Sequence, residues 1–347
     1  MTAKHDVEKI LVLLPNWVGD AAMATPALRA LQRRFPSAQI TAAGKQSICE
    51  LLEGLPHLHK LVPFIPRPPA RELWRLGRVL APDASDLCVV LPHSFRAALL
   101  AQLTRARQRL GYARGGRSFL LTRALPPAKK SGRLTPVYTA REYLDLVAAA
   151  GCEDDSQGLE LVAPPQLLEE TQQRFAGHHP LVGLAPGAAF GPSKCWPAER
   201  YAAVADELHA RAGARCVLLT GPGEEDTRDA VLRAARSPLL NPYEGKPSLG
   251  QLKAAIACVD LMIGNDSGPR HIAIAFKKPV VCIMGPTAPA YTQSPWERGR
   301  VLRVDVDCGP CQQPVCSTDH RCMTRISVQA VVHAALGELE MRNEADF

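Results

Sequence analysis

This 347-residue chain lacks the sequence features of membrane-spanning, secreted, coiled-coil and low-complexity proteins. No apolar run approaches the ~20 residues that a membrane-spanning helix needs. Behind the charged start Met1–Lys9, the apolar stretch Ile10–Leu14 is too short for the core of a signal peptide. Heptads, low-complexity tracts and short repeats are also missing. We therefore expect a cytoplasmic folded protein, and at ~100–200 residues per domain the length predicts two domains.

Acidic residues are missing between Asp86 and Glu142, although the chain as a whole carries a net charge of only +7. The electrostatic field of such a window is positive and attracts an anionic partner. A phosphorylated substrate, an anionic membrane surface, a nucleic acid and a merely solvated basic face all fit it, although the few aromatic residues there give little support to base stacking. The basic residues of this window, numbers 96–141, are Arg96, Arg105, Arg107, Arg109, Arg114, Arg117, Arg123, Lys129, Lys130, Arg133 and Arg141.

Short apolar strands alternate with helical segments in both halves of the chain. This alternation predicts an α/β protein with two doubly wound halves, whose ligands lie at the carboxyl ends of parallel strands. A proline-bearing segment, Val162–Gln166, is the predicted linker, and Ser248 and Ser327 are predicted helix caps. The predicted strands are Lys9–Leu14, Gln39–Ala43, Leu87–Leu91, Leu181–Ala185, Cys216–Thr220, Asp260–Ile263 and Pro279–Met284.

The first candidate turn, Pro15–Asp20, directly follows the first strand. It has a single glycine, so it lacks the Gly-x-Gly-x-x-Gly pattern of a dinucleotide site. A carboxylate at the mouth of a cleft suits a general base. Asp20 is therefore either that base or the cap of a short turn at Ala21–Ala24.

Two turns of the second half suit a phosphate group. Lys194 is the only charge in the loop Pro186–Pro197, where a point charge would offset a leaving phosphate, unless it is an ordinary surface lysine. The turn Gly264–Gly268 opens a helix, whose N-terminus favours an anion by ~0.3–1 kcal/mol. Asp266 would repel a phosphate, so it is predicted to contact sugar hydroxyls or to cap the turn. His271 lies on the face of Ser267 and reaches the same ligand, or is a packed core histidine.

Two patterns near the end of the chain resemble metal sites. Asp305-x-Asp307 lies in an alternating run, Val301–Asp307, which favours a solvated strand face over a metal-diphosphate motif. Cys308, Cys311, Cys316 and Cys322 could hold a structural zinc, but their spacing is not that of paired knuckles. A buried thiol cluster and an adventitious disulfide are the alternatives.

Five blocks in order along the chain resemble the bacterial ADP-heptose:lipopolysaccharide heptosyltransferases of glycosyltransferase family 9. The first turn and the Phe190–Pro192 loop are more similar to heptosyltransferase II than to I. The blocks are Asn16–Asp20 with Ala24–Leu28, Leu91–Arg96, Pro186–Ala188 through Lys194–Pro197, Gly264–Gly268, and Gly285–Thr287.

This resemblance implies a GT-B fold, in which two Rossmann-like doubly wound domains face a central cleft. It implies an acceptor domain at 1–163, an ADP-heptose domain at 164–326, and a C-terminal helix at 327–347 that packs back on the first domain. It also implies an inverting, metal-independent transfer of heptose onto the lipopolysaccharide inner core, with the first heptose as acceptor. The predicted partners are ADP-heptose, the phosphorylated inner core and the cytoplasmic surface of the inner membrane, without nucleic acid.

The resemblance assigns roles to single residues. Asp20 matches the base that deprotonates the acceptor, and Lys194 matches the lysine on the donor diphosphate. Asp266, Ser267, Gly268 and His271 match residues around the donor heptose and phosphates, and Glu224 loosely matches an acidic residue facing adenosine. Ser94, Arg96 and Arg117 are the predicted acceptor contacts. The alternatives are a GT-B enzyme for another nucleotide sugar, such as a transferase or an epimerase, and a nucleic-acid-binding protein that uses the basic window.

Overall fold

The structure, a computed structural model, describes residues 7–65, 68–81, 85–221, 223–243 and 247–345. Its chain divides into two compact units, Met1–Gly158 and Leu159–Phe347. Among the helices in the described ranges, none combines the length and apolar character that crossing a bilayer requires.

The first unit is a six-stranded parallel sheet with the strand order β3-β2-β1-β4-β5-β6, together with a small antiparallel hairpin, β7-β8. Its strands are β1 (Lys9–Leu13), β2 (Gln39–Gly44), β3 (Lys60–Pro63), β4 (Leu87–Val90), β5 (Gln108–Tyr112), β6 (Arg123–Leu125), β7 (Lys129–Lys130) and β8 (Arg133–Leu134). Its helices are α1 (Val18–Met23), α2 (Thr25–Arg34), α3 (Gln46–Leu52), α4 (Ala70–Leu80), α5 (Phe95–Leu103) and α6 (Thr139–Ala148).

The second unit repeats this architecture, with the parallel order β11-β10-β9-β12-β13-β14. Its strands are β9 (Leu181–Ala185), β10 (Arg215–Leu218), β11 (Leu239–Leu240), β12 (Leu261–Asn265), β13 (Val280–Met284) and β14 (Gly299–Arg303). Its helices are α7 (Pro165–Phe175), α8 (Ala198–Ala212), α9 (Glu225–Ala234), α10 (Leu249–Cys258), α11 (Gly268–Ala275), α12 (Pro289–Thr292), α13 (Arg321–Thr324) and α14 (Val328–Ala345).

The central strands are buried along their whole length because helices cover the sheets. Every residue of β4, β9, β12 and β13 is buried, which explains their continuous apolar sequences. Each sheet reverses its strand order beside its first strand. In such folds, ligands bind at this point, outside the carboxyl ends of the strands. The α/β class with two doubly wound sheets is therefore confirmed.

Two local predictions need correction. The first turn is partly helical: α1 begins at Val18 and carries Asp20 in its first turn, where a carboxylate interacts favourably with the helix dipole. The strand β14 ends at Arg303, so Asp305 and Asp307 lie in irregular chain instead of on a strand face. Their carboxylates contact Arg303 at 3.3 Å and Arg321 at 3.1 Å respectively.

The predicted helix caps are confirmed, and the last helix joins the second unit. Ser248 forms a reciprocal capping box with Gln251, and Ser327 Oγ accepts from the backbone N–H of Ala330 at 3.2 Å. Apolar residues of α14, among them Val331 and Leu339, belong to the core formed by β9, β12, β13 and α8. This packing assigns the helix to the second unit, and its expected packing on the first domain stays a prediction. The last two residues of the predicted segment lie outside the described residues.

A bidentate ion pair fastens the end of the first unit to α2. Arg29 donates to both carboxylate oxygens of Asp155 at 2.7 and 2.8 Å, and to the carbonyl of Gly158 at 3.0 Å. The hydrogen bonds from Arg29 hold the pKa of Asp155 well below its usual range. A carboxyl with a lowered native pKa stabilises the fold above its unfolded pKa of ~3.9, and this contribution is lost as the pH falls below it.

We therefore expect Asp155→Asn to lower the free energy of unfolding at pH 7 by ~1.5–3 kcal/mol, the usual contribution of hydrogen bonds to a charged group. The difference from wild type should shrink as the pH falls below ~4. Equilibrium urea unfolding at several pH values measures both effects, with Glu153→Gln at the exposed neighbouring carboxylate as control. A constant difference at all pH values would contradict the ionic origin of the effect.

Candidate functional site

Four neighbouring strands of the second sheet deliver the predicted donor residues to one edge. In the order β10-β9-β12-β13, the strands are parallel, so their carboxyl ends share an edge. The loops leaving this edge carry Glu224 after β10, Lys194 after β9, Asp266 after β12 and Thr287 after β13. The fold thus brings together residues that are up to about a hundred positions apart in the sequence.

Asp266 is the centre of this group, and only 2% of its side chain is exposed. Its Oδ2 accepts from Lys194 Nζ at 2.9 Å and from Thr287 Oγ1 at 2.6 Å, and its Oδ1 accepts from Arg270 at 2.7 Å. Burial by itself would raise the pKa of this carboxyl. The charges of Lys194 and Arg270 outweigh that effect and hold the pKa well below its usual range. Asp266 is therefore an ionised anchor for the cations around it.

Arg270 extends the network away from Asp266. Its guanidinium is 1% exposed and forms a bidentate pair with Glu297 at 2.7 and 2.6 Å. Bidentate pairing fixes the plane of the guanidinium as well as its position. Arg270 therefore holds the first turn of α11 against the segment that precedes β14.

Two polar atoms beside this network have no hydrogen-bond partner among the described residues. They are Ser267 Oγ and His271 Nδ1, and both are buried. Burial, and then the charge of Arg270, lower the pKa of His271 to about 3, so its imidazole is neutral at physiological pH. Buried polar groups are normally satisfied, and a bound polar ligand would satisfy these two.

The loop that carries Lys194 is tied to the end of β12 by Asn265. The amide of Asn265 donates to the carbonyl of Pro186 at 2.7 Å, and its oxygen accepts from the N–H of Trp196 at 3.2 Å and the hydroxyl of Tyr201 at 3.0 Å. These bonds fix both ends of the loop. Lys194 Nζ also donates to the carbonyl of Asp266 at 2.8 Å, so two of its three N–H groups are directed at Asp266.

Glu224 lies at the start of α9, directly against the loop after β9. Its Oε2 accepts from the N–H of Gly221 at 2.7 Å, and burial raises the pKa of its carboxyl. A Cβ at position 187 would collide with this carboxylate. Gly187 is therefore the residue that lets Glu224 approach the edge of the sheet.

The predicted acceptor contacts in the first unit have structural roles. Ser94 Oγ caps α5 by accepting from the N–H of Ala97 at 3.2 Å, and the Arg96 guanidinium donates to the carbonyl of Pro68. Arg117 is fully buried, and it donates to the carbonyls of Tyr112 at 3.1 Å, Ser94 at 3.0 Å and Pro92. Arg117 therefore supports the loop that carries Ser94, and the acceptor contacts expected of these three residues stay predictions.

Asp20 is half-buried in the first unit. The helix that carries it, α1, packs against α3 and α6. Burial raises the pKa of Tyr143 on α6 well above its usual value, and the nearby carboxylate of Asp20 raises it further. Asp20 therefore lies on a packed helix, close enough to Tyr143 for their charges to interact.

The four clustered cysteines lie in the second unit with free thiols. Cys308 and Cys311 are exposed, Cys316 is half-buried and Cys322 is buried. All four line one cavity with a volume of about 80 Å³. Within the part of the chain that the structure describes, no three His, Cys, Asp or Glu side chains are gathered as tightly as in a formed metal site.

Sequence reasoning missed several residues that hold the group around Asp266 together. Thr287 and Asn265 lie in the blocks Gly285–Thr287 and Gly264–Gly268, and a polar side chain at the end of a strand is the signal that marks them. Arg270 was visible as a charge next to His271, but Glu297 had no local signal because its partner lies on another element.

Known proteins resemble this chain in sequence and in structure. The profile of glycosyltransferase family 9 (heptosyltransferase) matches residues 73–321. Lipopolysaccharide heptosyltransferase 2 of Salmonella typhimurium is 30% identical over 310 residues, covering 85% of this chain and 88% of the relative.

Two solved structures match over nearly the whole chain. Escherichia coli ADP-heptose lps heptosyltransferase II has a TM-score of 0.82 at 26% identity, covering 96% of this chain and 99% of that one. The family 9 glycosyl transferase of Veillonella parvula has a TM-score of 0.85 at 24% identity, covering 98% and 100%. The predicted GT-B fold class is confirmed by these matches.

The ion network predicts a specific stability defect. Arg270→Met leaves Glu297 without its partner and Asp266 with one cation fewer. We expect the free energy of unfolding to fall by ~3–5 kcal/mol, as when one member of a buried ion pair is removed. Because it also removes the stranded carboxylate, the double variant Arg270→Met/Glu297→Met should be more stable than the single one.

Urea unfolding of both variants measures these effects. Arg298→Met, at an exposed arginine next to Glu297, is the matched control and should stay within ~0.5 kcal/mol of wild type. A single variant as stable as this control would show that the buried network does not stabilise the unit.

Proposed function

This chain belongs to glycosyltransferase family 9, and we propose that it transfers heptose from ADP-heptose to the first heptose of the lipopolysaccharide inner core. The observation that carries the proposal is the ionised Asp266 with Lys194, next to two unsatisfied buried polar atoms at the carboxyl edge of the second sheet. The Salmonella typhimurium and Escherichia coli relatives, which match most of the chain, are named lipopolysaccharide heptosyltransferase 2 and ADP-heptose lps heptosyltransferase II.

The donor diphosphate is proposed to bind at Lys194 and the N-terminus of α11. Two N–H groups of Lys194 are directed at Asp266, which leaves the third for a phosphate oxygen. The backbone of Gly268 and the Ser267 hydroxyl stand at the start of α11, where the helix dipole favours an anion. His271 is neutral, so it offers a hydrogen bond without adding charge.

The proposed positions of the donor sugar and adenosine follow from the negative charges of Asp266 and Glu224. Both oxygens of Asp266 already accept hydrogen bonds, so this carboxylate holds the cations in place. Its remaining lone pairs are proposed to accept hydrogen bonds from hydroxyls of the donor sugar. The Glu224 carboxylate beside Gly187 is proposed to receive adenosine hydroxyls. Neither carboxylate is suited to contact phosphate oxygens directly.

The chemistry assigned to this chain is an inverting displacement. Asp20 takes the proton from an acceptor hydroxyl, and that oxygen attacks the anomeric carbon of the donor from the face opposite ADP. The bond from the carbon to the diphosphate oxygen breaks, and the charge developing on ADP is stabilised by Lys194, Ser267 and the N-terminus of α11. Asp20 is the proposed catalytic base, because a carboxylate just after the carboxyl end of β1 suits the removal of a proton from an acceptor hydroxyl.

We further propose that the first unit works at the cytoplasmic surface of the inner membrane. Phe95 and Phe119 are 45% and 73% exposed, and their rings contact each other with centroids 6.0 Å apart. Basic side chains of the same unit are exposed nearby in the sequence, among them Arg123 and the hairpin residues Lys129 and Lys130. Exposed aromatic rings and basic residues together suit the interface of an anionic bilayer.

Separating chemistry from donor binding tests the proposed mechanism. We expect Asp20→Asn to lower the rate of ADP release from ADP-heptose and a heptose-deficient core acceptor by about 10²–10⁴-fold, which is the contribution of a general base. Its affinity for ADP should be unchanged, since Asp20 belongs to the first unit and the donor residues to the second. Lys194→Met should instead weaken ADP binding by about tenfold or more.

Isothermal titration with ADP and a coupled assay of ADP release supply the two readouts, with Arg298→Met as a charge-matched control. Wild-type turnover by Asp20→Asn would disprove its assignment as the base. If wild type released no ADP from ADP-heptose but turned over another nucleotide sugar, the proposed donor would be wrong.

Vesicle binding tests the proposed membrane surface. We expect Phe95→Ser/Phe119→Ser to bind anionic phospholipid vesicles at least ~5-fold more weakly than wild type, because both aromatic rings are lost from the interface. Met341→Ser removes an exposed apolar side chain from the second unit and is the control. Co-sedimentation at low and high salt measures the effect, and equal binding by all three proteins would refute this surface.

A further inference from the structure

The segment of residues 304–322, here called the cysteine loop, has little to stabilise it by packing. Residues 304–320, between the end of β14 and the start of α13, contain neither strand nor helix, and the last two residues of the loop open α13. Most of its side chains are exposed, including Val315 at 64%. Long irregular segments inside compact domains are usually functional, and cysteine-rich ones that lack a core are commonly fastened by a covalent bond or a metal.

The four thiols of this loop face one space. Cys308, Cys311, Cys316 and Cys322 all line the cavity of about 80 Å³, a volume well above the ~10–15 Å³ that a single water needs. Sγ of Cys308 and Sγ of Cys316 both contact the hydroxyl of Thr318, at 4.0 and 3.5 Å. Residues spread over the whole loop therefore converge on one point.

We propose that Cys308, Cys311, Cys316 and Cys322 bind one thiophilic transition-metal ion, zinc or iron, in a closed structural site. Tetrahedral sulfur coordination suits both metals. Among the described residues these thiols do not form a ready metal site, so binding draws them together in the cavity as each gives up its proton to solvent. His320 is not among the ligands, because its Nε2 lies 2.6 Å from the carbonyl of Ser193.

The position of the cysteine loop gives this ion a role in the donor site. The carbonyl of Gln313 accepts from Ser193 Oγ at 2.6 Å, and the carbonyl of Pro314 accepts from the N–H of Ser193 at 3.1 Å. Ser193 directly precedes Lys194. The N–H of Gln312 donates to the carbonyl of Pro286 at 3.0 Å, next to Thr287. An ion that orders the loop therefore positions two of the groups that hold Asp266.

Metal analysis of the purified full-length protein tests the site without any assay of activity. We expect about one zinc or iron ion per chain, and near-complete loss of the metal in Cys308→Ser/Cys316→Ser. Cys258→Ser, at a half-buried cysteine of the same unit on α10, is the matched control and should keep the metal. Zinc is colourless in such a site, whereas iron adds a visible thiolate charge-transfer band, so the spectrum separates the two metals.

A second measurement does not depend on the folding of a variant. Reduced wild-type protein titrated with Co²⁺ should develop thiolate-to-cobalt absorption that saturates at about one ion per chain. Wild type that holds no metal as purified, and gains none from Zn²⁺, Fe²⁺ or Co²⁺ under reducing conditions, would overturn the proposal. So would a thiol titration showing that these cysteines are paired in disulfides.

The coupling to Lys194 rests on the proposed function and has its own readout. Metal-free Cys308→Ser/Cys316→Ser should bind ADP about fivefold or more weakly than Cys258→Ser, within the usual range of coupling between two sites. Equal ADP affinity would refute the coupling while leaving the metal site intact. Failure of wild type to bind ADP would refute the proposed donor instead, and the metal content would be unaffected.

Discussion

A buried carboxylate organises the second unit of this protein. Asp266 would be strongly unfavourable in its position if it stood alone, because an ionised group loses its hydration on burial. Lys194, Thr287 and Arg270 come from three different segments to compensate it. The requirement for charge balance therefore fixes the loops after β9 and β13 and the first turn of α11 relative to one another. The same requirement directs Lys194 at the edge of the sheet where the donor phosphate is proposed to bind.

The proposal that a phosphorylated donor binds beside an internal carboxylate depends on the shared lysine. Arg270 compensates Asp266 on the side away from Lys194 and is itself balanced by Glu297. Asp266 thus does not depend on Lys194 alone, and a phosphate that attracts the ammonium leaves the carboxylate with a cation and a hydroxyl. A neutral His271 fits the same logic, since another positive charge beside Arg270 would be repelled.

The sequence predicted the features that follow from local rules. Apolar runs predicted the strands, serines at positions 248 and 327 predicted helix caps, and glycine-rich turns at strand ends predicted where Lys194 and Asp266 lie. The sequence did not predict residues whose roles depend on tertiary contacts. Glu297 pairs with a residue on another element, and Arg117 looked like a surface cation but is buried among carbonyls. The roles of Asp20, Glu224 and the other site residues stay predictions.

The basic window shows why counting charges in a sequence overstates an electrostatic surface. Arg117 is buried, Arg109 donates to the carbonyls of Ala106 and Leu120, and Arg114 pairs with Glu142 at 2.7 Å. Such groups hold the unit together, and their charges are partly neutralised or screened from solvent by protein. An anionic partner therefore meets mainly the exposed cations, such as Arg123 and Lys129. Attraction by this smaller set acts over about a Debye length, ~8 Å at physiological ionic strength, so it favours a charged surface already brought close by apolar contact.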